Sequence, residues 1–167
     1  WHKGDLSVMK AADHGAWLGS SVFDGARCVN GLVPDLEAHC ARVNSSAEAL
    51  MLTPHVRTED MVEIIREGLR AYPAGTPIYI RPMYWGVGSD YMAIVSAAEG
   101  AGFAIALEEI PMPQAGASVT LTRTRFCRPV LESSVVNAKA GCLYPNNARM
   151  LAEARSKGFV NALVADA

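Results

Sequence analysis

Alternating strand and helix patterns, broken once by a proline-rich stretch, predict a two-domain chain of mixed α/β and α+β type. Short apolar stretches with a period of two recur between longer stretches with helical spacing. The run Pro111-Met112-Pro113-Gln114-Ala115-Gly116 cannot continue a strand ladder and reads as a linker. No repeat or low-complexity tract competes with this reading. The expected division is a small N-terminal α/β domain over 1–110, a linker over 111–116 and a second domain beginning over 117–167.

The elements follow in order. Residues 20–28 read as extended, and Asn30-Gly31 as a turn. Asp35 is the expected N-cap of a helix running to about Met51, with Leu36, Cys40, Val43, Ala47 and Leu50 as its apolar stripe. Thr58 is the expected cap of a second helix, with Glu59 and Asp60 in its first turn and Met61, Ile64, Ile65 and Leu69 inward. Residues 76–85 and 102–110 read as strands, and 117–126 alternates like another. Pro145 suits the first turn of a helix that ends at Lys157-Gly158, with Gly158 just past the cap. A further strand is expected over 160–165.

Composition excludes several function classes. The 167 residues are half hydrophobic and carry a net charge of −2 with no block of one sign, so nucleic-acid or membrane-surface binding has no support. No apolar run approaches a bilayer span, and no segment resembles a signal peptide. Cys28, Cys40, Cys127 and Cys142 are widely spaced and form no C-x-x-C, which suits reduced thiols in a cytoplasmic protein. His2, His14, His39 and His55 lack metal-ligand spacing, so no metal site is expected. Neither a Walker A loop nor a G-x-G-x-x-G after a strand is present.

The chemistry-bearing residues begin with Lys139, the only lysine between Lys10 and Lys157. It follows Val135-Val136 and stands among Ala138, Ala140 and Gly141, none bulky enough to screen it. A lysine removed from water becomes nucleophilic, the state needed for a Schiff base with a carbonyl cofactor. The same stretch also fits a lysine at a strand end with its ammonium in solvent.

Two strands add candidates through their period of two. Phe23, Gly25 and Arg27 share a face: a ring, a gap and a cation, suited to a small ligand with an apolar part and a carboxylate. In Pro77-Ile78-Tyr79-Ile80-Arg81-Pro82, Ile78 and Ile80 point to the core, and Tyr79 and Arg81 point away from it, their Cα atoms about 7 Å apart. A phenol and a guanidinium together can bind a carboxylate. Both sets also fit plain solvent-facing positions on half-buried strands.

In order and spacing, Val22-Phe23-Asp24-Gly25-Ala26-Arg27, His39-Cys40-Ala41-Arg42-Val43, Tyr79-Ile80-Arg81-Pro82 and Ala138-Lys139-Ala140-Gly141, with Tyr144 five residues after the lysine, resemble the class IV (fold type IV) aminotransferases. The nearest subgroup is the branched-chain amino acid aminotransferases. The resemblance implies the D-amino acid aminotransferase-like fold: a small N-terminal α/β domain followed by the start of a large mixed-sheet pseudo-barrel domain that binds cofactor. It implies pyridoxal 5′-phosphate as cofactor, amino acids and 2-oxo acids as substrates, and a homodimer or higher homo-oligomer. Lys139 matches the lysine that holds the cofactor and moves the proton. Arg42 matches the phosphate-binding arginine, and Tyr144 the tyrosine that donates to the cofactor's phenolic oxygen. Phe23, Gly25, Arg27, Tyr79 and Arg81 match the substrate side, Tyr79 toward the α-carboxylate and Arg81 toward the distal carboxylate of glutamate. His39 is expected to be structural, and Cys142 has no assigned role.

The expected activity is transamination between valine, leucine or isoleucine and 2-oxoglutarate. D-amino acid or (R)-amine transamination, aminodeoxychorismate lyase activity and an incompetent fragment are the alternatives. The family's glutamate to the pyridine nitrogen falls beyond Ala167, so the sequence is expected to represent the N-terminal part of such an enzyme. Asp24, where many relatives carry glutamate, is a minor change from the family pattern.

Overall fold

A computed structural model describes residues 1–89, 92–97 and 100–166. The chain divides into two compact units, Trp1–Met112 with Ala138–Gly141, and Pro113–Asn137 with Cys142–Ala167. The segment carrying Lys139 therefore folds with the first unit, although the sequence division puts it in the second.

The first unit is built on an antiparallel sheet. Strand β1 (Ser21–Phe23) and strand β2 (Ala26–Cys28) both pair with the long strand β3 (Ile78–Gly86), which pairs on its other edge with β4 (Ala101–Glu109). β1 and β2 keep one register against β3, with Phe23 opposite Met83 and Ala26 opposite Ile80. The expected strand over 20–28 is thus one strand with a break at Asp24-Gly25. Its cause is Pro82: the Asp24 amide donates to the Pro82 carbonyl at 3.0 Å, but proline has no N–H to return the bond. After β2, Asn30 and Gly31 adopt φ of 51° and 80°, and Val29 and Leu32 exchange both backbone bonds across this tight turn.

Two helices cover one face of the sheet. Helix α2 (Leu36–Ala49) buries Leu36, Cys40, Val43, Ser46 and Ala47, close to the expected stripe. Asp35 precedes it in a left-handed conformation (φ 52°) and makes no side-chain cap, contrary to the expectation. Helix α3 (Thr58–Leu69) has Arg57, not Thr58, in the cap position. Its buried residues are Met61, Val62, Ile65 and Gly68, whereas Ile64 is exposed. Against them the sheet buries Val22, Ala26, Cys28, Ile78, Ile80 and Tyr84. A short helix, α1 (His14–Trp17), packs on β3 near Trp85. The sheet face turned away from α2 and α3 keeps its β1–β3 side chains only partly covered, alternating with the buried ones as far as Tyr84, beyond which Trp85 is buried too.

The second unit holds a short parallel pair, β5 (Leu121–Arg123) and β6 (Asn161–Leu163), joined through helix α4 (Tyr144–Ser156). Pro145 lies in the first turn of α4. Past the cap residue Lys157, Gly158 takes φ of 81°, its amide bonds the Arg155 carbonyl and the Phe159 amide bonds that of Ala154. These two bonds are the Schellman stop that a glycine at this position permits. Both strands are shorter than expected, three residues each.

Candidate active site

The partly covered sheet face gathers five of the expected residues. Phe23, Gly25 and Arg27 alternate with buried Val22, Asp24, Ala26 and Cys28, and Tyr79 and Arg81 alternate with buried Ile78, Ile80 and Pro82. Arg27 stands directly opposite Tyr79 across the β2–β3 pair. The Arg27 and Arg81 guanidinium carbons lie 5.7 and 5.9 Å from the Tyr79 ring centre. Gly25 makes room for that ring: a Cβ would come within 2.9 Å of Tyr79 Cε2 and still closer to the hydroxyl, so the phenol would have to shift. The missing side chain lets the phenol lie across the neighbouring strand.

Lys139 joins this face through backbone pairing. The Phe23 amide donates to the Lys139 carbonyl at 3.1 Å, and Val22 bridges Ala140 in antiparallel fashion. Ala138 and Ala140 are buried while Lys139 between them is partly exposed, so the lysine projects to the same side as Phe23. Its Nζ lies 5.0 Å from the centre of the Phe23 ring. The small neighbours noted in the sequence explain the fit: at Gly141, a Cβ would strike Ser21 Oγ. The Lys139 amide donates to Ser46 Oγ on α2 at 3.1 Å.

Arg42 sits one helical turn before Ser46, so its turn of α2 borders the lysine segment. It is committed to a carboxylate that sequence reasoning treated as a minor change. Asp24 is fully buried, and Arg42 grips it with two bonds, Nε to Oδ2 at 2.6 Å and Nη2 to Oδ1 at 2.8 Å. His39 Nδ1 lies 2.8 Å from Oδ1, which requires a proton on that nitrogen, and the Gly25 amide donates at 2.7 Å. Burial alone would raise the Asp24 pKa; the bonds from Arg42, His39 and Gly25 outweigh it and hold the carboxyl below its usual range. The Arg42 side chain remains 58% exposed, with Nη1 outside this pair of bonds. His39, expected to be structural, spends Nδ1 on this buried carboxylate.

A second carboxylate was also missed. Arg81 Nη2 donates to Glu108 Oε1, and Glu108 stands opposite Tyr79 on β4. Alternation along 101–109 would have put Glu108 on the open face; the register that brings it to Arg81 is a long-range fact. Arg27, by contrast, donates to the Ile110 carbonyl at 3.3 Å and to Met112 Sδ at 3.5 Å, both neutral. Tyr144 opens α4 in the second unit and is 40% exposed.

A groove lined by Cys28, Leu32, Leu36, Leu69, Tyr72 and Ile78, among others, includes none of the candidate residues. Among the described residues, no group of three or more His, Cys, Asp or Glu could hold a metal ion, and no helix is long and apolar enough to cross a membrane.

One sheet face thus holds the Lys139 amine 5.0 Å from the Phe23 ring, with Arg27, Tyr79 and the gap at Gly25 beside them. Residues 21–167 match the family Amino-transferase class IV. The chain belongs to the class IV aminotransferases. It is 30% identical over 173 residues to a probable branched-chain-amino-acid aminotransferase of Rickettsia typhi, covering 99% of this chain and 59% of that protein. The crystal structure of an aminotransferase from Brucella abortus bound to the cofactor PLP superposes with a TM-score of 0.97 at 51% identity, covering 99% of this chain and 59% of that one. The branched-chain aminotransferase from Thermoproteus uzoniensis, solved with norvaline, shares the fold with a TM-score of 0.81 at 24% identity, over 95% of this chain and 55% of that one. The fold is therefore that of the fold type IV aminotransferases. It spans about three-fifths of the length of the Rickettsia and Brucella relatives.

Proposed function

We propose that the intact protein is a pyridoxal 5′-phosphate-dependent aminotransferase that moves the amino group of valine, leucine or isoleucine to 2-oxoglutarate. The observation that carries this reading is the Lys139 amine 5.0 Å from the Phe23 ring, on the sheet face that also holds Gly25, Arg27 and Tyr79. These residues fit the cofactor. Lys139 offers a primary amine for its aldehyde, and Arg42 keeps an outward Nη1 for its phosphate while Asp24 fixes the rest of the fork. Tyr144 is assigned to the cofactor's phenolic oxygen. When bound, the cofactor supplies an electron sink for the bonds at the substrate's Cα.

The chain's own residues do the remainder. Lys139 Nζ accepts the proton from the substrate's Cα and returns it on the product side. Arg27 and the Tyr79 hydroxyl orient the α-carboxylate, and Phe23 with the gap at Gly25 receives an apolar side chain. Arg81 is assigned to the distal carboxylate of glutamate or 2-oxoglutarate. The active form is proposed to be a homodimer, in the cytoplasm, which light scattering on the purified protein and cell fractionation would check.

Borohydride reduction of the cofactor-loaded protein, followed by peptide mapping, tests the reading. Label on Lys139, lost in Lys139→Ala together with activity by many orders of magnitude, is the expected result. Label on Lys10 or Lys157 would overturn it. A panel of valine, leucine, isoleucine, D-alanine, 1-phenylethylamine and aminodeoxychorismate then identifies the substrate class.

A further inference from the structure

Arg27, Tyr79 and Glu108 form one row across three strands, because Tyr79 is the direct partner of both Arg27 and Glu108. Arg81 is the next residue of β3 on the same face, and its guanidinium reaches back to Glu108. The row and its neighbour thus hold two guanidinium groups and one carboxylate. The two cations are in different states: Arg81 is ion-paired, whereas Arg27 lies over the Tyr79 ring, donates to a carbonyl and a thioether, and has no carboxylate partner among the described residues. Around Tyr79, one positive charge is left for a ligand, matching one carboxylate.

We propose that Glu108 sets the substrate specificity of this face by occupying Arg81. Ligands with one carboxylate bind at Arg27 and Tyr79 without disturbing the pair, whereas ligands with two must displace Glu108. The inference rests on the aminotransferase reading and deepens it. The Glu108 carboxylate is tethered to the same sheet, so it competes with an incoming distal carboxylate for the same donor at an advantage that no free ligand has. The pair is not sealed: the Arg81 and Glu108 side chains are 35% and 42% exposed, and exposed pairs are weak and screened by salt. Glu108 therefore weights the choice and does not forbid the dicarboxylate.

The test is calorimetric titration of the intact, cofactor-loaded protein with glutarate and pentanoate, two acids of equal chain length that differ in the second carboxylate. Glu108→Gln should tighten glutarate roughly fivefold, the upper scale for a part-exposed ion pair, and leave pentanoate within about twofold. The gain should shrink at high salt and vanish when Arg81→Ala is added. Glu109→Gln is the control, since it removes the same charge from the adjacent exposed residue of β4, one step out of phase with the row. Steady-state kcat/KM should move the same way, rising for glutamate relative to leucine. Equal tightening of both acids in Glu108→Gln, no tightening of either, or an equal gain in Glu109→Gln would overturn the proposal. A selective gain for glutarate in a protein that turns over no amino acid would uphold the role of Glu108 and sink the aminotransferase reading.

Discussion

Replacing Asp24 by Asn keeps the shape of a fully buried side chain and removes its charge. In the wild type that carboxylate accepts two bonds from Arg42, one from His39 and one from the Gly25 amide. An asparagine oxygen can keep only some of these, and its NH2 must face a donor of Arg42 or His39. Breaking a fully buried ion pair costs roughly 3–5 kcal/mol. Here the partner is 58% exposed and can turn to water, which lowers the figure. Two lost charged hydrogen bonds, partly recovered by solvent at Arg42, suggest about 2–3 kcal/mol at neutral pH. The Asp24 pKa is depressed in the folded state, so its contribution is fully present above the unfolded value of 3.8 and is lost as pH falls through the still lower folded value. The gap between wild type and Asp24→Asn should therefore be widest above about pH 5 and close in acid. Urea unfolding of the intact protein at several pH values, read as midpoint with an unchanged slope, measures it. A loss below about 0.5 kcal/mol at pH 7, or a gap that does not narrow as pH falls below 3.8, would refute the reasoning.

Arg42→Lys retains a charge but cannot hold Asp24 with a fork and face outward at once, so cofactor affinity should fall while the covalent link still forms at high cofactor concentration; unchanged affinity in a fluorescence titration would remove Arg42 from the phosphate site. Gly25→Ala should push the Tyr79 phenol off its seat and raise KM for leucine and glutamate alike, because the α-carboxylate is common to both; unequal losses would argue against that assignment. Burial, with Asp24 and Glu37 nearby, raises the Cys40 thiol to about 11, so iodoacetamide at about pH 8 should modify exposed Cys127 and Cys142 and spare Cys40 until the protein unfolds, as peptide mass mapping would reveal.

The sequence by itself determined which side the residues of 23–27 and 78–81 take. Alternation separated Phe23, Gly25 and Arg27 from Val22, Ala26 and Cys28, and Tyr79 and Arg81 from Ile78 and Ile80, because a strand's side-chain period is fixed by its backbone. It also located the stop of α4 at Gly158, since the left-handed residue after a helix favours glycine. Lys139 stood out through its small neighbours, and those are what allow its segment to lie against β1.

Tertiary structure alone decided which charges meet. Asp24 read as a conservative replacement, yet it is the buried anchor of His39 and Arg42, fifteen and eighteen residues further along the chain. Arg81 read as an available cation, yet the β3–β4 register gives it Glu108. The return of Ala138–Gly141 to the first unit likewise depends on edge pairing with β1, a contact more than a hundred residues long in sequence. Periodicity is a property of neighbours along the backbone, whereas register and charge pairing are settled between distant segments only when the sheet closes.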